Sequence, residues 1–136
     1  MTAMEKVAWT ELLISLFTMA MAAALYPWLG NGAAGAFGFL GFVACGILFL
    51  RKRGNKVVVD ERDREIERQA TQTGIHTAWM ILFMALIVIV LWASQTEDKV
   101  IATGVLMWLV WIQFAILYGV KGLVAVLLYR SQRRAT

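Results

Sequence analysis

Apolar positions along the chain fall into four runs, near 9–28, 33–50, 74–93 and 100–129, separated by short polar stretches. Each run is about as long as a bilayer crossing requires, roughly 20 apolar residues as helix. In lipid the backbone must satisfy its own hydrogen bonds, so the runs read as helices. The pattern predicts an all-α integral membrane protein, a four-transmembrane-helix bundle forming one domain over 1–136. The polar stretch 51–73 interrupts it once at length.

Turn chemistry punctuates the runs. Pro27 followed by Trp28, Leu29, Gly30, Asn31 and Gly32 is expected to end the first helix. Arg51, Lys52 and Arg53 are expected to stop the second, Gly54 and Asn55 to turn the chain, and 57–59 to be extended. Asp60 is a good N-cap, with Asp63 three residues on. Asp60/Arg64 at i,i+4 and Glu61/Arg64 and Glu65/Arg68 at i,i+3 support an exposed helix. That helix, with Ile66, Ala70 and Thr73 as its less polar edge, is expected to run straight into the third crossing. A tight turn at 94–99 precedes the fourth, and the tail from Tyr129 is expected to fray.

Charge sets the orientation. Lys6, Arg51, Lys52, Arg53, Lys56, Arg62, Arg64, Arg68, Lys121, Arg130, Arg133 and Arg134 fall on one side and only Lys99 on the other. The positive-inside rule then makes both termini and the 51–73 stretch cytoplasmic, with helix 3 extended into the cytoplasm. This positional bias accounts for the net charge of +4 without nucleic acid as a partner. Trp9 and Trp79 suit the inner interface, and Tyr26, Trp28 and Trp92 the outer one. The alanines at 20 and 22–24 mimic a signal-peptide cleavage site, but Glu5 and Glu11 favour a retained first helix.

Candidate chemistry is sparse. The single cysteine, Cys45, excludes an internal disulfide, and with one histidine, His76, there is no metal-ligand spacing, no cofactor motif and no nucleophile–base set. No enzymatic role is expected. Polar groups inside the membrane are the default functional candidates: Glu11, His76, Gln113 and Lys121. Glu11, Ser15, Thr18 and Ala22 share one helical face, and counting at ~1.5 Å per residue puts Glu11, His76 and Lys121 at one depth. A structural ion pair and a proton or substrate site both fit that layer. Gln113, nearest the midplane, is expected to hydrogen-bond a neighbouring helix. Trp108 and Trp111 lie too deep for an interfacial belt and read as packing or a subunit contact.

Small residues at Ala34, Gly38, Gly41 and Cys45 share an α-helical face, and Ala115 and Gly119 form a second pair. Such faces let helices approach closely, within the chain or across a homodimer seam. Besides the lipid bilayer, a cytoplasmic protein partner on the charged helix is a candidate.

Three segments carry a resemblance: the start Glu5-Lys6-Val7-Ala8-Trp9, the central run from Val59 through Asp60-Glu61-Arg62-Asp63-Arg64-Glu65-Ile66-Glu67-Arg68 to Gly74, and the end Tyr129-Arg130-Ser131-Gln132-Arg133-Arg134. Together they resemble an uncharacterised family of small four-helix bacterial membrane proteins, with Val7 standing where that family's pattern has Arg. The resemblance implies a bacterial inner-membrane location and no catalytic residue. It draws attention to Asp60, Glu61, Arg62, Asp63, Ile66 and Arg68 as an interaction surface. The sequence thus favours a non-enzymatic interaction or accessory protein that self-associates or docks a partner. The alternative is a small proton-coupled transporter with a polar site near Glu11.

Overall fold

A computed structural model describes residues 2–46, 60–95 and 101–134, folded as three α-helices and one 3-10 helix. They are α1 (Ala3–Leu29), the 3-10 helix η1 (Gly30–Gly46), α2 (Glu61–Gln95) and α3 (Thr103–Arg134). Three stretches are long and apolar enough to cross a membrane: Ala3–Gly46, which holds α1 and η1 together, then Glu61–Gln95 and Thr103–Gln132. The expected helix stop at 51–53, the turn at 54–55, extended 57–59 and most of the 94–99 turn lie outside the described residues.

Thr2 caps α1: its Oγ1 accepts from the Glu5 backbone N–H at 3.1 Å. The helix therefore starts well before the apolar run. The helix ends within the expected Pro27–Gly32 turn, though not at Pro27 itself. Proline removes one backbone donor, but Pro27 stands in the last turn and the helix continues to Leu29. The terminator is Gly30, at φ 53°, whose N–H bonds the Tyr26 carbonyl. That left-handed φ suits glycine and sends the chain directly back along α1 as η1.

The second apolar run winds as a 3-10 helix, at three residues per turn. Side chains at i and i+3 eclipse in such a helix. Here Gly32, Gly35, Gly38, Gly41 and Ala44 stand every third residue, so one of the three columns carries almost no side chain. A second column, Ala34, Phe37, Leu40 and Gly46, is buried. This corrects the expected face of Ala34, Gly38, Gly41 and Cys45. At a period of 3.0 rather than 3.6 they part: Ala34 turns inward while Gly38, Gly41 and Cys45 are exposed. Ala115 and Gly119 are also used within the chain. Ala115 is fully buried, and a Cβ at Gly119 would lie 2.9 Å from Ser15 Oγ.

Asp60 Oδ1 accepts from the Glu61 N–H at 2.7 Å and starts α2, a single 35-residue helix. Its inward edge is Asp63, Ile66, Ala70, Gly74 and Ala78. Thr73, expected on that edge, is exposed, because Gly74 completes the four-residue step from Ala70. The expected fraying after Tyr129 does not occur, as α3 stays helical to Arg134.

The helices pack as an open row rather than a closed ring. Among the described residues α3 packs along both α1 and α2, while η1 packs along α1 and reaches α3 more lightly. One apolar cluster sits where α1 and α2 begin and α3 ends: Ala8, Leu12, Ile66, Ala70, Val126 and Tyr129. These helix ends together form the basal end of the molecule. The other cluster joins Ala22, Ala34, Phe37 and Ala115. Above it, Trp108 Nε1 donates to Asn31 Oδ1 at 3.3 Å and its ring meets Tyr26 and Phe37 edge-on. Trp111 stacks on Phe37. The deep tryptophans are thus packing groups within the chain.

Candidate functional site

The polar groups of the apolar interior collect on the α1 face of Glu11, Ser15 and Thr18, all buried against α3. Glycine on α3 permits the approach. A Cβ at Gly122 would lie 2.7 Å from Leu12 N and 2.8 Å from Ala8 O, so no side chain fits there. Ser15 Oγ donates to the Ala115 carbonyl. Thr18 Oγ1, also buried, has no hydrogen-bond partner among the described residues.

Two of the three side chains expected in one layer meet. Lys121 Nζ donates to Glu11 Oε1 at 2.8 Å. The third member of the layer is not His76 but Glu67, with Oε1 2.6 Å from Lys121 Nζ. His76 is exposed and stands outside the layer. Gly74 lets α2 press close enough for the Glu67 contact: a Cβ there would lie 2.9 Å from the Leu117 carbonyl and 3.1 Å from Lys121 Cβ. One ammonium from α3 therefore bridges a carboxylate on each flanking helix. Burying such charges is costly unless they are paired, and the bridge ties three helices at one point.

A cleft of about 450 Å³ opens beside this bridge, among α1, η1 and α3. Val7 and Glu11 line it from α1, Gly41 and Ala44 from η1, and Tyr118 and Lys121 from α3. Leu40 and Val43 complete its η1 wall, and nothing lies within 4 Å of a Cβ built on Gly41. Gln113 is elsewhere, lining a smaller cleft of about 230 Å³ between α2 and α3 with Ile75, Trp79 and Phe114. Its expected hydrogen bond to a neighbouring helix is not formed among the described residues, since those walls are apolar.

At the basal end the charged signature divides by face. Asp63 and Ile66 are buried, which removes them from the expected interaction surface. Tyr129 OH donates to Asp63 Oδ1 at 2.7 Å, and Ile66 packs against the same ring's cluster. Arg62 Nε donates to Gln132 Oε1. Asp60, Glu61, Arg64, Glu65 and Arg68 remain exposed. Arg68 pairs with Glu65 at 3.0 Å, and Gln69 Nε2 donates to Glu65 Oε1 at 2.8 Å. The Arg68 hydrogen bond, with Gln69 behind it, holds the Glu65 carboxyl below the usual carboxylate range. The Arg130 guanidinium lies 5.2 Å from the centroid of the Trp9 ring. The start, centre and end segments that carry the resemblance therefore meet at one end of the molecule.

The Tyr129–Asp63 bond is testable. Tyr129→Phe would keep the ring and leave the buried Asp63 carboxylate without its donor. Such a loss costs about 1–3 kcal/mol. The expected result is lower stability in an SDS unfolding titration, largely restored when Asp63 is replaced by Leu as well.

Sequence reasoning missed Glu67 and Tyr118. The signal for Glu67 was the spacing of Ile66, Ala70, Gly74 and Ala78, a buried stripe continuing through the charged stretch with Glu67 on its flank. Tyr118 carried no separate signal. Among the described residues no group of three His, Cys, Asp or Glu side chains converges to hold a metal ion.

Residues 8–131 match a family described as a predicted membrane protein family, DUF2178. No curated protein and no solved structure matches the chain.

Proposed function

Since the chain belongs to the DUF2178 family of predicted membrane proteins, we propose that it is a non-enzymatic accessory protein that works by association within the bilayer. On this reading it crosses a bacterial inner membrane four times, as α1, η1, α2 and α3, with both termini cytoplasmic. The observation that carries the reading is the position of α2. Among the described residues its apolar half leans chiefly on α3, leaving Trp79, Met80, Phe83, Met84, Val88 and Trp92 each more than half exposed. A helix supported on one side offers the rest of its circumference to lipid or to a second copy. The exposed Asp60, Glu61 and Arg68 at its basal end are the surface left for a cytoplasmic partner.

A cysteine scan of 79–92 in a Cys45→Ala background tests association in native membranes. Disulfide cross-links between copies recurring every three to four positions are expected, marking one face of α2. Uniform absence of cross-links along the scan would sink the reading. The second reading, a small proton-coupled transporter, is favoured by the cleft beside Glu11. Proton-driven uptake into vesicles, lost in Glu11→Gln, would support it over the first.

A further inference from the structure

We infer that Gln113, at the cleft between α2 and α3, pairs with the Gln113 of a second copy across a two-fold axis inside the bilayer. The inference rests on the association reading and names the side chain through which the two copies recognise each other. Gln113 lies about 12 Å beyond Lys121 along α3, at ~1.5 Å per residue. In a hydrocarbon layer about 30 Å thick that depth is remote from water and headgroups. Lipid tails offer no hydrogen bond, so a carboxamide there is costly until a protein group answers it. Other polar side chains of the spans are answered within the chain. Glu11 meets Lys121, Ser15 meets the Ala115 carbonyl and Trp108 meets Asn31. Thr18 has no partner, but it is fully buried and out of a second chain's reach. Gln113 is only half-buried, and it makes no hydrogen bond among the described residues.

The chemistry of the group selects the occupant. A carboxamide carries both N–H donors and a carbonyl acceptor, so its complement is a second carboxamide. Two of them facing each other exchange a pair of N–H···O bonds, and a two-fold axis is the symmetry that sets one surface against itself. A lipid chain answers neither half of the group. Access is open, since Trp79 and Phe114, which line the same cleft, are 61% and 47% exposed. Trp79 also belongs to the exposed face of α2, so the cleft is continuous with the surface on which association is read.

The test uses the full chain in phosphatidylcholine vesicles, labelled at the exposed Cys45 with a donor dye in one batch and an acceptor in another. Energy transfer over a series of protein-to-lipid ratios gives the association constant. Gln113→Leu is expected to weaken association about tenfold, the effect of losing interhelical hydrogen bonds. Gln113→Asn keeps the carboxamide and is expected to weaken it less than about threefold. Wild-type protein that stays monomeric at every ratio sinks this inference and the association reading together. Wild-type association that is unchanged in Gln113→Leu, or equally weakened in the Leu and Asn variants, overturns the inference alone. Unfolding midpoints are recorded alongside. Should Gln113→Leu fail to fold, Gln113→Cys in a Cys45→Ala background decides at high protein density: a disulfide between copies supports the pairing, and its absence overturns it.

Discussion

Replacing Gly122 with valine is expected to separate α1 from α3 and destabilise the protein by about 3 kcal/mol, the upper part of the usual range for overpacking. The added Cβ would meet Leu12 N at 2.7 Å, Ala8 O at 2.8 Å and Leu12 Cα at 3.0 Å. These are backbone atoms of a continuous helix, so no rotamer change relieves the contact. The helix pair has to part, and with it go the Ser15 bond to the Ala115 carbonyl and the Glu11–Lys121 pair a turn away. Gly119 is a milder case, because its added Cβ would meet chiefly the Ser15 side chain. Gly38→Ala is the control: nothing lies within 4 Å of its Cβ, and a change within about 0.5 kcal/mol is expected, as at ordinary surface sites. SDS titration followed by tryptophan fluorescence gives the ranking. Equal stability of Gly122→Val and Gly38→Ala would refute the close approach.

Lys121→Met is expected to cost about 3–5 kcal/mol, the range for removing one partner of a buried pair. The methionine fills most of the lysine stem's volume, so the loss is chiefly electrostatic. Glu11, 5% exposed, would be left with a charge and no cation. Glu67 suffers less, being more exposed and nearer the basal end. Adding Glu11→Gln should then recover much of the loss, because it removes the charge that had become unsupported. The double-mutant cycle is expected to be non-additive by more than 1 kcal/mol, as for residues in direct contact. Additive losses would mean that the two side chains act separately.

Depth along a helix was legible in the sequence, and direction around it only in part. Counting from the helix ends placed Glu11, His76 and Lys121 at one level, and two of them meet. His76 fails on azimuth. At about 100° per residue it points some 200° away from Gly74, and Gly74 is the residue pressed against Leu117 and Lys121. The stripe Ile66, Ala70, Gly74 and Ala78 contains that direction, but its charged neighbours made the segment read as a solvated surface. Asp63 and Glu67 are the result: acidic residues that turn inward to Tyr129 and Lys121. The long helices themselves were plain from apolar length, as was the unbroken passage from Asp60 into α2. The winding of η1 was not, because helical spacing was assumed at 3.6 residues per turn. Glycine at 32, 35, 38 and 41 was the signal for a period of three.

That winding also changes how far the segment reaches. Seventeen residues at ~2.0 Å per residue extend roughly 34 Å, whereas the same residues as α-helix would extend roughly 26 Å. The hydrocarbon layer is about 30 Å thick. On the four-crossing reading, η1 spans the bilayer with fewer residues than an α-helix would need, and its hydrophobic length is matched to the lipid by pitch instead of by residue count. A thinner membrane could then be met by tightening the rise of this one segment, while α1, α2 and α3 would have to tilt.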